Sequence, residues 1–178
     1  MVRTHAPEKE KTMTKAWVVY ESMFGNTREV AEAVAQGIKE HAEVEVHEVS
    51  TARSLPADLD LLVVGAPTHA FGLSRPSTRE DAATKAHRAV ESTSMGVREW
   101  LEQLTPDATP PRFATFDTRV NHPRVPGSAA KKAAKRLRKR GATAQTDPES
   151  FWVHGTEGPV LDGELDRART WGSSIARA

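Results

Sequence analysis

The run Ala16-Trp17-Val18-Val19-Tyr20 passes through Glu21 into Ser22-Met23-Phe24-Gly25-Asn26-Thr27 and continues directly into a helical pattern that lasts to Ile38. This order of strand, short loop and helix constrains the fold more than any other feature of the chain. A continuous apolar strand has to be covered on both faces, and the helix that follows supplies one cover. Val30, Val34 and Ile38 share one face of that helix with Ala31 and Ala35 beside them, while Glu29, Glu32, Lys39 and Glu40 point elsewhere. Val44-Glu45-Val46-His47 alternates as a half-exposed edge strand does, and Leu59-Asp60-Leu61-Leu62-Val63-Val64-Gly65 is the most deeply buried strand expected in the chain. Strands alternating with helices in this way imply parallel pairing, right-handed crossovers and a three-layer α/β sandwich.

The loop itself has a chemical reading. The first backbone N–H groups of a helix have no partner within it, and its N-terminus carries partial positive charge, so a phosphate can be held there without a lysine. Ser22, Asn26 and Thr27 add side-chain donors, and Gly25 lets the backbone approach closely. A plain helix cap after a buried strand has the same spacing, and both readings stay open on the residues alone. The segment is neither a glycine-rich run ending in Lys-Ser/Thr nor a three-glycine dinucleotide turn.

Two further loops follow strands. Pro67-Thr68-His69-Ala70-Phe71-Gly72 comes after strand three and is too rich in turn formers to be regular structure. Phe113-Ala114-Thr115-Phe116 reads as strand four, opening into a loop from Asp117 to Pro123. A polar helix is expected over about Thr78 to Val90 behind a Ser77-Thr78-Arg79-Glu80 capping box, and a short one over Gly96 to Leu104. Ser128 can cap a helix running to Arg140, and Glu164 to Ala176 is the last helix. Strand five reads either as Ala142 to Gln145 or as Phe151-Trp152-Val153, or as both around Asp147-Pro148.

Ser22-Met23-Phe24-Gly25-Asn26-Thr27 directly after strand one resembles the phosphate loop of flavodoxins and of the flavodoxin-like domains in flavodiiron proteins. The resemblance implies a flavodoxin-like sandwich around a five-stranded parallel sheet of order 2-1-3-4-5, with FMN as cofactor. It implies that Ser22, Met23, Phe24, Gly25, Asn26 and Thr27 grip the terminal phosphate. Pro67, Thr68, His69, Ala70, Phe71 and Gly72 would line one side of the flavin ring, and Phe116, Asp117, Thr118 and Arg119 the other. The chain departs from the family in lacking the usual tryptophan and tyrosine of these loops; it offers His69 and Phe71 in one, Phe116 and His122 in the other. Low-potential flavodoxins surround the ring with carboxylates, whereas these loops carry Arg75, Arg79 and Arg119 with Asp117 as the main acid. Nearby cations favour an anionic reduced form, which predicts a higher two-electron potential.

Composition bounds the rest. At 178 residues and 38% hydrophobic the chain suits one domain, expected over 16–178 behind a loose tail of residues 1–15. Cysteine is absent, which excludes disulfides and thiolate chemistry within the chain. The first fifteen residues lack the apolar core of a secretory signal, so a soluble cytoplasmic protein is expected. His69, His122 and His154 follow strands on one edge but lack ligand spacing, and no metal site is expected. Net charge is only +1, yet seven of the ten residues from Lys131 to Arg140 are basic. That helix is either a solvated face or a docking surface for an acidic partner; nucleic acid is disfavoured because no aromatics interleave with the charges.

Three functions remain in view. The first is an FMN-binding redox protein carrying electrons between partners, one of them a redox protein or an NAD(P)H-linked donor. The second is an FMN-dependent oxidoreductase of quinone reductase or protoporphyrinogen oxidase type. The third is a flavin-free binding module of the same fold.

Overall fold

The structure is a computed structural model that describes residues 13–105, 110, 112–122 and 126–178. Most of the expected tail, residues 1–12, lies outside the described residues, as does Pro123 in the loop expected after strand four. Strand β1 (Lys15–Tyr20) leads into helix α1 (Asn26–Ile38), then β2 (Glu43–Glu48) and β3 (Leu61–Pro67). Helices α2 (Pro76–Lys85) and α3 (Val97–Gln103) precede β4 (Arg112–Val120) and α4 (Ala129–Lys139). Two short strands, β5 (Thr143–Ala144) and β6 (Glu149–Val153), come before the last helix, α5 (Glu164–Arg177).

The sheet is parallel in every pair and runs β2-β1-β3-β4-β5, with β6 also paired to β4. It therefore has six strands rather than five, and both readings of the fifth strand are realised. β5 pairs with the start of β4 at Arg112 and Phe113, and β6 pairs with its end from Phe116 to Val120. That second pairing also corrects the boundary of β4. Asp117 and Thr118, expected in a loop, have ladder partners on both β3 and β6, and Arg119 has one on β6, so all three remain strand.

The alternation of side chains along the central strands divides the core between two faces. Val19 of β1, Leu62 and Val64 of β3 and Phe113 of β4 join Trp100 and Leu101 of α3 and Leu137 of α4 on one face. Val18, Leu61, Val63, Ala114 and Phe116 join Val30, Val34 and Ile38 of α1 and Ala168 and Ile175 of α5 on the other. β2 is the half-exposed edge that its alternation implies. α2 buries only Arg79 and contributes to neither core. Among the described residues no helix is long and apolar enough to cross a membrane.

Candidate functional site

Two crossovers leave from opposite sides at the carboxyl ends of β1 and β3, and a crevice opens where the winding reverses. A cavity of about 290 Å³ lies there, at the lower end of the size range of small-molecule clefts. Its walls come mainly from three segments far apart in sequence. Ser22, Met23, Phe24, Asn26 and Thr27 follow β1; Pro67, Thr68, His69 and Ala70 follow or end β3; Thr118, Arg119 and Val120 end β4. The hydroxyls of Thr27 and Thr118, 2.7 Å apart and buried, join the first of these segments to the third.

The loop after β1 folds its own backbone N–H groups onto a serine hydroxyl. Gly25 sits at φ 88°, a conformation open to glycine, and this turns the chain sharply into α1. The Ser22 hydroxyl accepts the N–H groups of Gly25 at 3.0 Å and Arg28 at 3.3 Å, so two amides of the turn converge on one oxygen. A phosphate oxygen needs the same set of donors. The loop is fastened from outside by residues 91–92. Ser92 N–H donates to the Ser22 carbonyl at 2.7 Å, the Ser22 N–H donates to the Ser92 hydroxyl at 3.0 Å, and the Glu91 N–H donates to the Met23 carbonyl at 2.9 Å. Arg28 and Glu91 add an ion pair at 2.8 Å. On its other flank, the amide group of Asn26 lies against Gly158, where a Cβ would fall 2.2 Å from Asn26 Oδ1.

The loop after β3 is a two-residue hairpin. His69 and Gly72 exchange backbone hydrogen bonds of 2.8 and 2.9 Å, leaving Ala70 and Phe71 at its tip with φ of 40° and 73°. His69 is held below its ordinary pKa, first by burial and then by the Arg79 guanidinium, so it presents a neutral imidazole to the cavity at neutral pH. Behind this loop Asp117 Oδ2 accepts from Thr68 Oγ1 and the Ala130 N–H, each at 3.1 Å, and from the Ser128 hydroxyl. Thr68 Oγ1 in turn accepts the Ala129 N–H at 2.9 Å. The start of α4 is thus bolted to the ends of β3 and β4.

The residues expected from sequence divide accordingly. Phe71 and Gly72 line a neighbouring cavity, and Phe71 is 58% exposed. Phe116 is a core residue, edge-on to Phe151 and Trp171, with its ring covering Gly65. Asp117 is fully buried beneath α4. Of the three arginines expected near the ring, Arg119 lines the cavity. Arg79 is buried against Ser74 and Glu99, and Arg75 lines the neighbouring cavity. Among the described residues no group of three His, Asp or Glu side chains is arranged to hold a metal.

Sequence reasoning passed over Ala82 of α2, together with Val153 and Thr156 at the end of β6, all of which line the cavity. It also passed over the clamp at Glu91 and Ser92, whose polar surroundings in the sequence give no signal of long-range pairing.

With this geometry in view, residues 18–105 match the family model described as flavodoxin. The fold is similar to that of oxidised flavodoxin 1 from Bacillus cereus, with a TM-score of 0.64 and 20% identity over 92% of this chain and 98% of that one. It is similar to a flavodoxin from the domain Archaea, with a TM-score of 0.59 and 21% identity over 92% of this chain and 97% of that one. The flavodiiron protein from Giardia intestinalis matches over 92% of this chain but 35% of its own, at a TM-score of 0.62 and 18% identity. No curated protein sequence matches the chain.

Proposed function

We propose that this protein, flavodoxin-like in its fold and in its matched segment, holds FMN in the cavity between the ends of β1, β3 and β4 and carries electrons between partners. Flavodoxin family proteins bind FMN. When bound, the flavin supplies reversible uptake of electrons, and the protein supplies binding, orientation and electrostatics. The observation that carries the reading is the Ser22 loop, where two amides converge on one hydroxyl beside a cleft walled by segments far apart in sequence. The Ser22, Asn26 and Thr27 side chains, which line the cavity, would hold the phosphate. His69, Ala70 and Arg119 would border the ring.

An absorption spectrum of the purified protein with and without added FMN tests this directly. Titration of the flavin-free protein should quench flavin fluorescence at one equivalent. Loss of the Ser22 hydroxyl in Ser22→Ala should weaken binding by roughly tenfold, the worth of about one charge-assisted hydrogen bond. A folded protein that leaves FMN fluorescence unchanged would instead be a flavin-free binding module.

One observation favours the enzymatic reading as an alternative. His69 and Ala70 line both this cavity and a larger neighbour, so a second ligand there would sit beside the first. Steady-state turnover of NAD(P)H with a quinone would identify an FMN-dependent oxidoreductase, and its absence beside rapid exchange with a redox protein would identify a carrier.

A further inference from the structure

The larger neighbouring cavity measures about 580 Å³ and is walled by the hairpin tip on one side and α4 on the other. Arg75, Arg98, Lys132, Lys135, Arg136 and Lys139 line it, and among the described residues no carboxylate does. The four from α4 fall at i, i+3, i+4 and i+7, so they form one stripe along that helix, and the two arginines face them from the starts of α2 and α3. Neutralisation within the protein is slight. Arg136 pairs with Glu102 at 2.9 Å, and Arg98 donates to the carbonyls of Leu73 and Ser74 at 2.8 and 3.0 Å. Among the described residues Arg75, Lys132, Lys135 and Lys139 have no ion pair. Arg98 is held below its ordinary pKa first by burial and then by the charges of Arg136 and Arg75.

At the rim stands Phe71, 58% exposed, in a backbone conformation that a bulky residue rarely adopts. Gly127 packs so closely against its backbone that a Cβ there would fall 2.2 Å from the Phe71 carbonyl oxygen. The stem of Lys132 lies over Gly72 beside it, 3.3 Å from where a Cβ would stand. A strained, exposed aromatic next to converging cations is a pairing that folding alone does not call for. We propose that this cleft binds a nucleotide carrying two or more phosphates, its base against Phe71 and its phosphates among the cations of α4, Arg75 and Arg98. An acidic protein surface would meet charges spread over a flat patch, whereas these face one another across a bounded cleft. The proposal is independent of the FMN reading, since none of its charged residues lines the smaller cavity.

The test is calorimetric titration of the full chain with ADP, pyrophosphate and adenosine, each with and without saturating FMN. ADP should bind at one site in both states, and its affinity should fall about tenfold or more when salt is raised from low to near-molar levels. The double substitution Lys132→Gln with Lys135→Gln should weaken ADP and pyrophosphate alike by about tenfold or more while leaving FMN binding and the far-UV spectrum unchanged. Phe71→Ala should weaken ADP about tenfold, the loss of one stacked base, and leave pyrophosphate unaffected. Absence of ADP binding overturns the proposal. So does pyrophosphate binding as tightly as ADP with Phe71→Ala inert, which would mark an inorganic anion site. Displacement of ADP by FMN would place the nucleotide in the smaller cavity and equally overturn it. Binding of a polyglutamate peptide without binding of ADP would make the cleft a protein-docking surface. ADP binding in a protein that ignores FMN would leave this proposal standing and remove only the flavin reading.

Discussion

Ala70 and Phe71 occupy left-handed backbone positions at the tip of a two-residue hairpin, where asparagine and glycine are the residues that fit without strain. A left-handed conformation costs an ordinary residue roughly 1–2 kcal/mol, and glycine forfeits up to about 1 kcal/mol through the unfolded chain. We therefore predict that Ala70→Asn combined with Phe71→Gly stabilises the protein by about 1 kcal/mol, read as a raised denaturant midpoint at unchanged slope; a lowered midpoint would mean that the hairpin tip is not strained. A second residue-scale device is Glu21, fully buried at the end of β1, which accepts the Ser74 hydroxyl and the Val97 N–H. Burial pushes its carboxyl above the ordinary value of 4.5, opposed by those two hydrogen bonds and by Arg79. A carboxyl that holds its proton more tightly in the folded state contributes stability that is fully present below its unfolded pKa and is lost as pH rises through the folded one. Glu21→Gln should accordingly flatten the decline of stability from about pH 4.5 upward, measured by urea unfolding across pH. Parallel slopes for the two proteins would show that Glu21 is not the titrating group.

α1 and α5 pack with their backbones in contact. A Cβ on Gly37 would fall 1.9 Å from the Arg169 carbonyl oxygen, and one on Gly172 would fall 2.1 Å from that of Val34. Helix propensity alone favours alanine over glycine by about 1 kcal/mol, so the two effects oppose each other, and the clash decides. Gly172→Ala should destabilise by roughly 1–3 kcal/mol in thermal or denaturant unfolding; a stabilised variant would mean that the helices are farther apart than described. The sequence leaves this crossing unreadable, because glycine inside a helical pattern looks only like a weak helix former. Periodicity does identify α1, α3, α4, α5 and the central strands, because each has to bury an apolar stripe or face. It misplaces the end of β4, since Asp117 and Thr118 are buried polar residues whose partners lie in β6 and at the start of α4, more than ten residues away. The same limit applies to the site. The turn from β1 into α1 at Ser22–Thr27 is local and readable, whereas the core position of Phe116 and the Ser92 clamp depend on residues brought in by the fold.

Charge is where the whole molecule differs from what its sum of +1 implies. The basic stripe of α4 and the arginines of the hairpin region gather on the β3–β4 side of the sheet edge, beside the smaller cavity rather than within it. Arg119 is the arginine that lines that cavity, over the Trp152 ring at 5.5 Å. If the flavin lies there, Arg119 is the cation placed to favour a negative charge on the reduced ring, and the remoter cations act through solvent that screens them within about 8–10 Å. A charge pair near the surface is worth on the order of 1 kcal/mol, which for two electrons is about 20 mV. We predict that Arg119→Gln lowers the two-electron midpoint of the FMN-loaded protein by roughly that amount, whereas neutralising Lys135 and Lys139 together shifts it less. A larger shift from the lysines, in a redox titration at fixed ionic strength, would mean that the potential is governed by the basic cleft and not by the residue at the ring.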